Sequence, residues 1–219
     1  MEAFKFCKID LIRSKSVIFL STLLMVGFAT YFIVDEQGLG FVVGYLAVIA
    51  VIVAILPFNL EQRYESGFID MLPGTTSQRV HGRYFYGAMM MVLCSLLGLG
   101  SLMLYIRLGN KLEDYFGAVY LALVSVVILA ITIEYVIFYA VGRGKIQKLL
   151  PIFQILLPMV LLFGAASIGE YLETNTKIDL TWLLDNKYPI SITAFLVTVL
   201  LYIVTSQVSI QICKRRDYA

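Results

Sequence analysis

Six long apolar stretches divide this chain, each close to the roughly 17 to 25 residues that a bilayer core of about 30 Å demands of a helix, and short polar connections separate them. The pattern predicts spans at 16–34, 39–60, 84–106, 115–141, 149–169 and 189–213. No segment left over is long enough for an independent soluble domain. The expected fold is therefore all-α: a polytopic membrane protein with a single transmembrane domain over 1–219 and six transmembrane helices.

The basic residues fall in alternate connections. Lys5, Lys8, Arg13 and Lys15 precede the first stretch, Arg63, Arg79 and Arg83 fall in the second connection, Arg143, Lys145 and Lys148 in the fourth, and Lys214, Arg215 and Arg216 at the end. The other connections hold Arg107, Lys111, Lys177 and Lys187, so thirteen of the seventeen basic residues lie on one side. The positive-inside rule makes that side the cytoplasm and puts both termini in it. The first stretch has a basic leader and a small-residue step at Gly27-Phe28-Ala29, as a secretory signal does. Its removal would leave five spans and invert the basic connections, so it is read as a span.

Composition agrees: 60% of residues are apolar and 15% charged, with a mean hydropathy of +0.86, the make-up of a chain that lipid solvates. The net charge of +2 reflects the cytoplasmic excess, which touches anionic lipid and gives no argument for nucleic acid. Cys7, Cys94 and Cys213 have neither disulfide-framework nor zinc spacing. His81 is the one histidine, which removes multi-histidine metal sites and leaves little room for a Ser-His-Asp triad. Gly142-Arg143-Gly144-Lys145 lacks the spaced glycine and the magnesium-holding Ser or Thr of a P-loop, so any ATP would be hydrolysed on another chain. No cofactor is expected on this one.

The connection at 59–83 reads NLEQRYESGFIDMLPGTTSQRVHGR. An acidic-then-basic polar run, Gly67, and then Phe68, Ile69, Met71 and Leu72 describe a short helix at the membrane surface, stopped by Pro73-Gly74. Its short apolar face suits a protein groove as well as lipid. These residues resemble the first cytoplasmic loop of the small six-span bacterial ABC-2 type exporter permeases: an acidic residue ends the second span, a stretch closes on Leu-Pro, and a basic-aromatic step opens the third. Glu61, Gly67, Phe68, Leu72, Pro73, Val80, Gly82, Arg83 and Tyr84 fill those places. Thr75-Thr76 stands where the family often has Ser-Arg, with the arginine arriving later as Arg79. The resemblance implies a subunit of the bacterial cytoplasmic membrane that pairs with a second permease copy or close relative and with two cytoplasmic ABC ATPase subunits carrying ATP and magnesium. It makes 61–83 the coupling helix, with Glu61, Gly67, Phe68, Ile69, Met71, Leu72, Pro73, Arg79 and Arg83 at the ATPase contact.

Glu134 lies well inside the fourth span, about 10 Å below the headgroups at 1.5 Å per residue. A carboxylate there costs a few kcal/mol and should face protein or water. With Tyr135 beside it, it is a candidate for the transport path or a gate; a hydrogen bond between spans is the structural alternative, with Tyr135, Tyr139 or phenols of other spans as donors. Gly40 to Gly44 forms a GxxxG, Pro151 and Pro158 would loosen the fifth span, and a basic surface helix before the first span is expected at the N-terminus. In the outer segment 170–188, Trp182 anchors a short interfacial helix, an outer lid in relatives of this architecture. The functional expectation is export of an amphipathic peptide, a lipid-like molecule or an antimicrobial compound. Two other classes stay open: a membrane immunity or binding protein without turnover, and an intramembrane enzyme, for which a lone Glu134 is a poor catalytic set.

Overall fold

The computed structural model describes residues 2–34, 39–63, 74–112, 114–141 and 185–217. All regular structure among them is helical: α1 (Glu2–Val34), α2 (Leu39–Ala54), α3 (Leu56–Arg63), α4 (Thr76–Arg107), α5 (Phe116–Val141) and α6 (Lys187–Asp217). Four of these, α1, α4, α5 and α6, are long and apolar enough to cross a membrane. The expected spans 16–34, 84–106, 115–141 and 189–213 fall on them. The fifth span at 149–169 and the outer segment with Trp182 lie outside the described residues.

Two expectations change. The second span is not one helix over 39–60: it breaks at Ile55, because Pro57 has no N–H to give to the carbonyl four residues back. The N-terminal segment is not a separate surface helix. No glycine or proline interrupts the chain between Glu2 and Met25, and α1 runs unbroken for 33 residues. At 1.5 Å per residue that is about 50 Å, so its first turns stand beyond a bilayer core.

Of the long helices, α1 and α4 run one way and α5 and α6 the other. The start of α1 touches the start of α4, with Arg83 Nε 3.9 Å from Asp10 Oδ2. The end of α6 reaches the same place, where the Tyr84 hydroxyl meets Ser209 Oγ at 2.9 Å. At the opposite end the Tyr188 hydroxyl donates to the Asp114 carbonyl at 2.6 Å. Lys5, Lys8, Arg79, Arg83, Lys214 and Arg215 thus gather at one end, and Arg107, Lys111 and Lys187 at the other.

The bundle is apolar outside and partly polar within, the inverse of a water-soluble domain. Leu96, Leu196, Leu200 and Ile203 are exposed, whereas Ser125, Thr132, Thr198, Ser206 and Ser209 are buried. Four of these hydroxyls bond carbonyls of their own helix, among them Ser125 to Leu121 at 2.8 Å and Thr132 to Ile128 at 2.6 Å. α4 begins at a full capping box, in which the Thr75 hydroxyl accepts from the Gln78 N–H and the Gln78 side chain accepts from the Thr75 N–H. Its first two turns hold Arg79 and Arg83, so both sit on helix where the sequence suggested a connection.

Candidate functional site

The break in the second span leaves a specific polar problem. Pro57 cannot donate to the Val53 carbonyl, and Phe58 N–H turns to Ile55 O at 3.0 Å in place of its regular partner at Ala54. In a dry interior a freed carbonyl needs a new donor. Phenols from two other helices supply them: the Tyr86 hydroxyl of α4 donates to Val53 O at 3.2 Å, and the Tyr135 hydroxyl of α5 to Ala54 O at 2.6 Å. A third phenol, Tyr202 of α6, donates to the Tyr84 carbonyl at 2.6 Å.

Gly87 makes this convergence possible. A Cβ at that position would lie 2.6 Å from the hydroxyl oxygens of both Tyr135 and Tyr202, so only a bare backbone lets both reach α4. The rings then pack on one another. Tyr84 and Tyr135 are edge-to-face at 5.1 Å between centroids, Phe58 and Tyr135 at 5.1 Å, and Tyr84 and Tyr202 lie 5.0 Å apart. Tyr135 and Tyr86 are wholly buried.

A charged layer sits directly beside these rings. The Arg83 guanidinium lies over the Phe58 ring at 4.6 Å, a cation–π contact, and reaches across to Asp10 of α1. Gly82, one residue earlier, lies against α1: a Cβ there would meet the Phe6 Cβ at 2.6 Å and the Ala3 carbonyl at 2.8 Å. His81 bridges to α6, with Nδ1 2.9 Å from the Ser77 carbonyl and Nε2 3.3 Å from Gln207 Nε2. The His81 Nδ1–H therefore donates to Ser77, and Nε2 accepts from the Gln207 amide.

The junction receives both ends of the 61–83 connection. Glu61 is in the last turn of α3, three residues past Phe58. Arg79 is in the first turn of α4, its Nη2 donating to the Gly74 carbonyl at 3.5 Å. Gly67, Phe68, Ile69, Met71, Leu72 and Pro73 lie outside the described residues. Glu134 is fully buried beside Tyr135, and neither carboxyl oxygen has a hydrogen-bond partner among the described residues. The Tyr135 phenol, a candidate donor to it, is committed to Ala54. Toward the opposite end, α1, α2 and α4 enclose an apolar hollow of about 220 Å³ lined by Met25, Ala29, Leu46, Leu97, Gly100 and Leu104 among others.

Asp10, Pro57, Phe58, Tyr86, Gly87 and Tyr202 were not singled out by sequence. A proline three residues from the end of an apolar span was the available signal, since it announces carbonyls that other helices must satisfy. Which tyrosines would serve them depends on packing alone.

Long helices with apolar exteriors and charge gathered at their ends define a multi-pass membrane protein. The family model described as ABC-2 family transporter protein matches residues 8–214, nearly the whole chain. The chain belongs to that family of transporter membrane proteins. Membership fits a membrane permease subunit rather than an enzyme, and implies an ABC ATPase partner in general. No curated protein matches it.

Proposed function

We propose that the chain is the membrane-spanning half of an ABC exporter of the bacterial plasma membrane, working as a pair with a second copy or close relative and driven by two cytoplasmic ATPase subunits. The observation that carries this is the junction: the two ends of the 61–83 connection run into one dry aromatic cluster that touches α1, α2, α4, α5 and α6. A push on that connection has a rigid path into the bundle, because close-packed interiors transmit displacement. In this reading 61–83 forms the coupling helix, Phe68, Ile69, Met71 and Leu72 enter a groove on the ATPase, and both termini and the basic end face the cytoplasm. Glu134 belongs to the path or its gate, and Trp182 to an outer lid.

The walls favour an amphipathic peptide, a lipid-like molecule or an antimicrobial compound as cargo. The apolar hollow and the exposed aliphatic helix faces supply little for a highly charged polymer. ATP and magnesium reside on the partner, and this chain needs no cofactor of its own.

The test is an affinity pulldown of the gently solubilised protein from its native membrane, with ATP hydrolysis measured for wild type and Leu72→Asp. An ATPase recovered with wild type and lost with the variant is the expected result. Wild type that brings down no ATPase would end the exporter reading in favour of a membrane immunity or binding protein.

A further inference from the structure

We propose that the break between α2 and α3 is a latched hinge, in which the Tyr135 hydroxyl passes between the Ala54 carbonyl of the second span and the Arg83 carbonyl of α4 as α3 swings. It deepens the exporter reading and rests on it, since the swing is that of the 61–83 connection.

The argument begins with the acceptors. The Tyr135 hydroxyl has one proton, donated to Ala54 O at 2.6 Å, and a second carbonyl, that of Arg83, stands 3.5 Å away. A carbonyl has two lone pairs, so Arg83 O can take the phenol while keeping its helical bond. The two arrangements differ by rotation of one hydroxyl about its C–O bond, with the ring held between Phe58 and Tyr84. They are discrete, because a buried O–H points at one acceptor or the other.

The hinge itself is the proline break. An unbroken helix would hold 54 and 58 together with its own ladder, whereas here the Val53 and Ala54 carbonyls depend on donors from α4 and α5. The angle of α3 is therefore set from outside the second span. Phe58 is the first α3 side chain past the proline to touch the Tyr135 and Arg83 side chains, so movement of α3 bears on the latch directly. Gly87 leaves the room that the phenol needs at α4.

Two measurements on the full-length protein test this. The first is a set of thermal-unfolding cycles among Pro57→Ala, Tyr86→Phe and Tyr135→Phe in detergent. Pro57→Ala restores an N–H at 57 for Val53, so Tyr86→Phe should lower the Tm by about 3 °C in wild type and by no more than about 1 °C in the Pro57→Ala background, a coupling that an ordinary buried phenol would not have. The second is a spin-label distance between Tyr45→Cys and Gln62→Cys, with the three native cysteines replaced by serine. An unbroken helix would separate these positions by about 25 Å; wild type should give a single distance, and Tyr135→Phe should broaden it or add a second population. Additive Tm changes, or a distance distribution that Tyr135→Phe leaves unaltered, would overturn the latch. Recovery of the ATPase by pulldown is scored on the same preparations. If the ATPase co-purifies and the couplings are absent, the latch fails and the exporter stands; if no ATPase is recovered, the exporter reading fails whatever the couplings show.

Discussion

Gly87→Ala adds one methyl group at the point where the phenols of Tyr135 and Tyr202 meet the backbone of α4. The added carbon would lie 2.6 Å from both hydroxyl oxygens and 3.1 Å from Cζ of Tyr135, against ordinary contacts of 3.4 to 4 Å. Neither phenol can retreat cheaply. Tyr135 is wholly buried between the Phe58 and Tyr84 rings, and each hydroxyl is spent in a 2.6 Å hydrogen bond, to Ala54 and Tyr84 respectively. Overpacking a dense core costs about 1 to 3 kcal/mol. Losing the two buried hydrogen bonds costs about 1 kcal/mol each. Alanine's better helix propensity returns about 1 kcal/mol. The net destabilisation is about 2 to 4 kcal/mol, which for a chain of this size lowers the Tm by roughly 5 to 15 °C. The assay is thermal unfolding of the purified protein in detergent, with Tyr202→Phe made alone and together with Gly87→Ala. Alone, Tyr202→Phe removes a good hydrogen bond and should destabilise. With Gly87→Ala it removes one of the two clashing atoms and should raise the Tm. A Gly87→Ala protein that melts within about 1 °C of wild type, or a Tyr202→Phe effect of the same sign in both backgrounds, would refute the proposed geometry.

Arg83→Met leaves the Asp10 carboxylate buried without its guanidinium, and the 3.9 Å separation places the cost at the low end for a broken buried pair, about 3 kcal/mol; thermal unfolding should show Arg83→Met with Asp10→Asn melting above Arg83→Met alone. Glu134→Gln keeps the shape of a buried side chain and removes its ionisation, so the protein should assemble and melt like wild type while export measured in membrane vesicles is lost. Normal export by that variant would assign Glu134 a structural role.

The long helices were legible because a bilayer imposes a single length and polarity on them, and 84–106, 115–141 and 189–213 needed only that rule. The capping box at Thr75 and Gln78 was not singled out by sequence, although its chemistry is local. The unread parts depend on contacts between helices. Hydropathy sees 39–60 as uniformly apolar, since Pro57 changes a hydrogen-bond ladder and not a transfer energy. Tyrosine counts as packing surface until its hydroxyl is placed, and nothing in the spacing of Tyr84, Tyr86, Tyr135 and Tyr202 says that they converge. Arg83 was expected at an ATPase contact on the strength of a resemblance. Its guanidinium lies over Phe58 and 3.9 Å from Asp10, contacts that the resemblance did not announce.

The pairing of helices indicates how such a junction would carry movement. α5 packs most extensively on α6 and α1 on α4, while direct contact between α4 and α5 is slight. Near the basic end side chains cross between the pairs, Tyr84 to Ser209 and Tyr202 to the Tyr84 carbonyl, and α4 also packs directly on α6; Tyr135 ties α5 to the second span at the Ala54 carbonyl. Toward the opposite end the cross-links include the Tyr120 hydroxyl on the Ser95 carbonyl at 2.7 Å, beside Gly98. Oriented hydrogen bonds have discrete partners, whereas apolar side chains slide over one another with small changes in energy. The phenol bonds across the seam can therefore exchange partners while the ring packing keeps the pairs aligned. The second span, with its break at Ile55, bridges the seam from the side. Displacing α3 would bear first on Tyr86 and Tyr135, whose acceptors are the carbonyls freed at the break, so loss of those two bonds should loosen the second span from α4 and α5 without unfolding either pair.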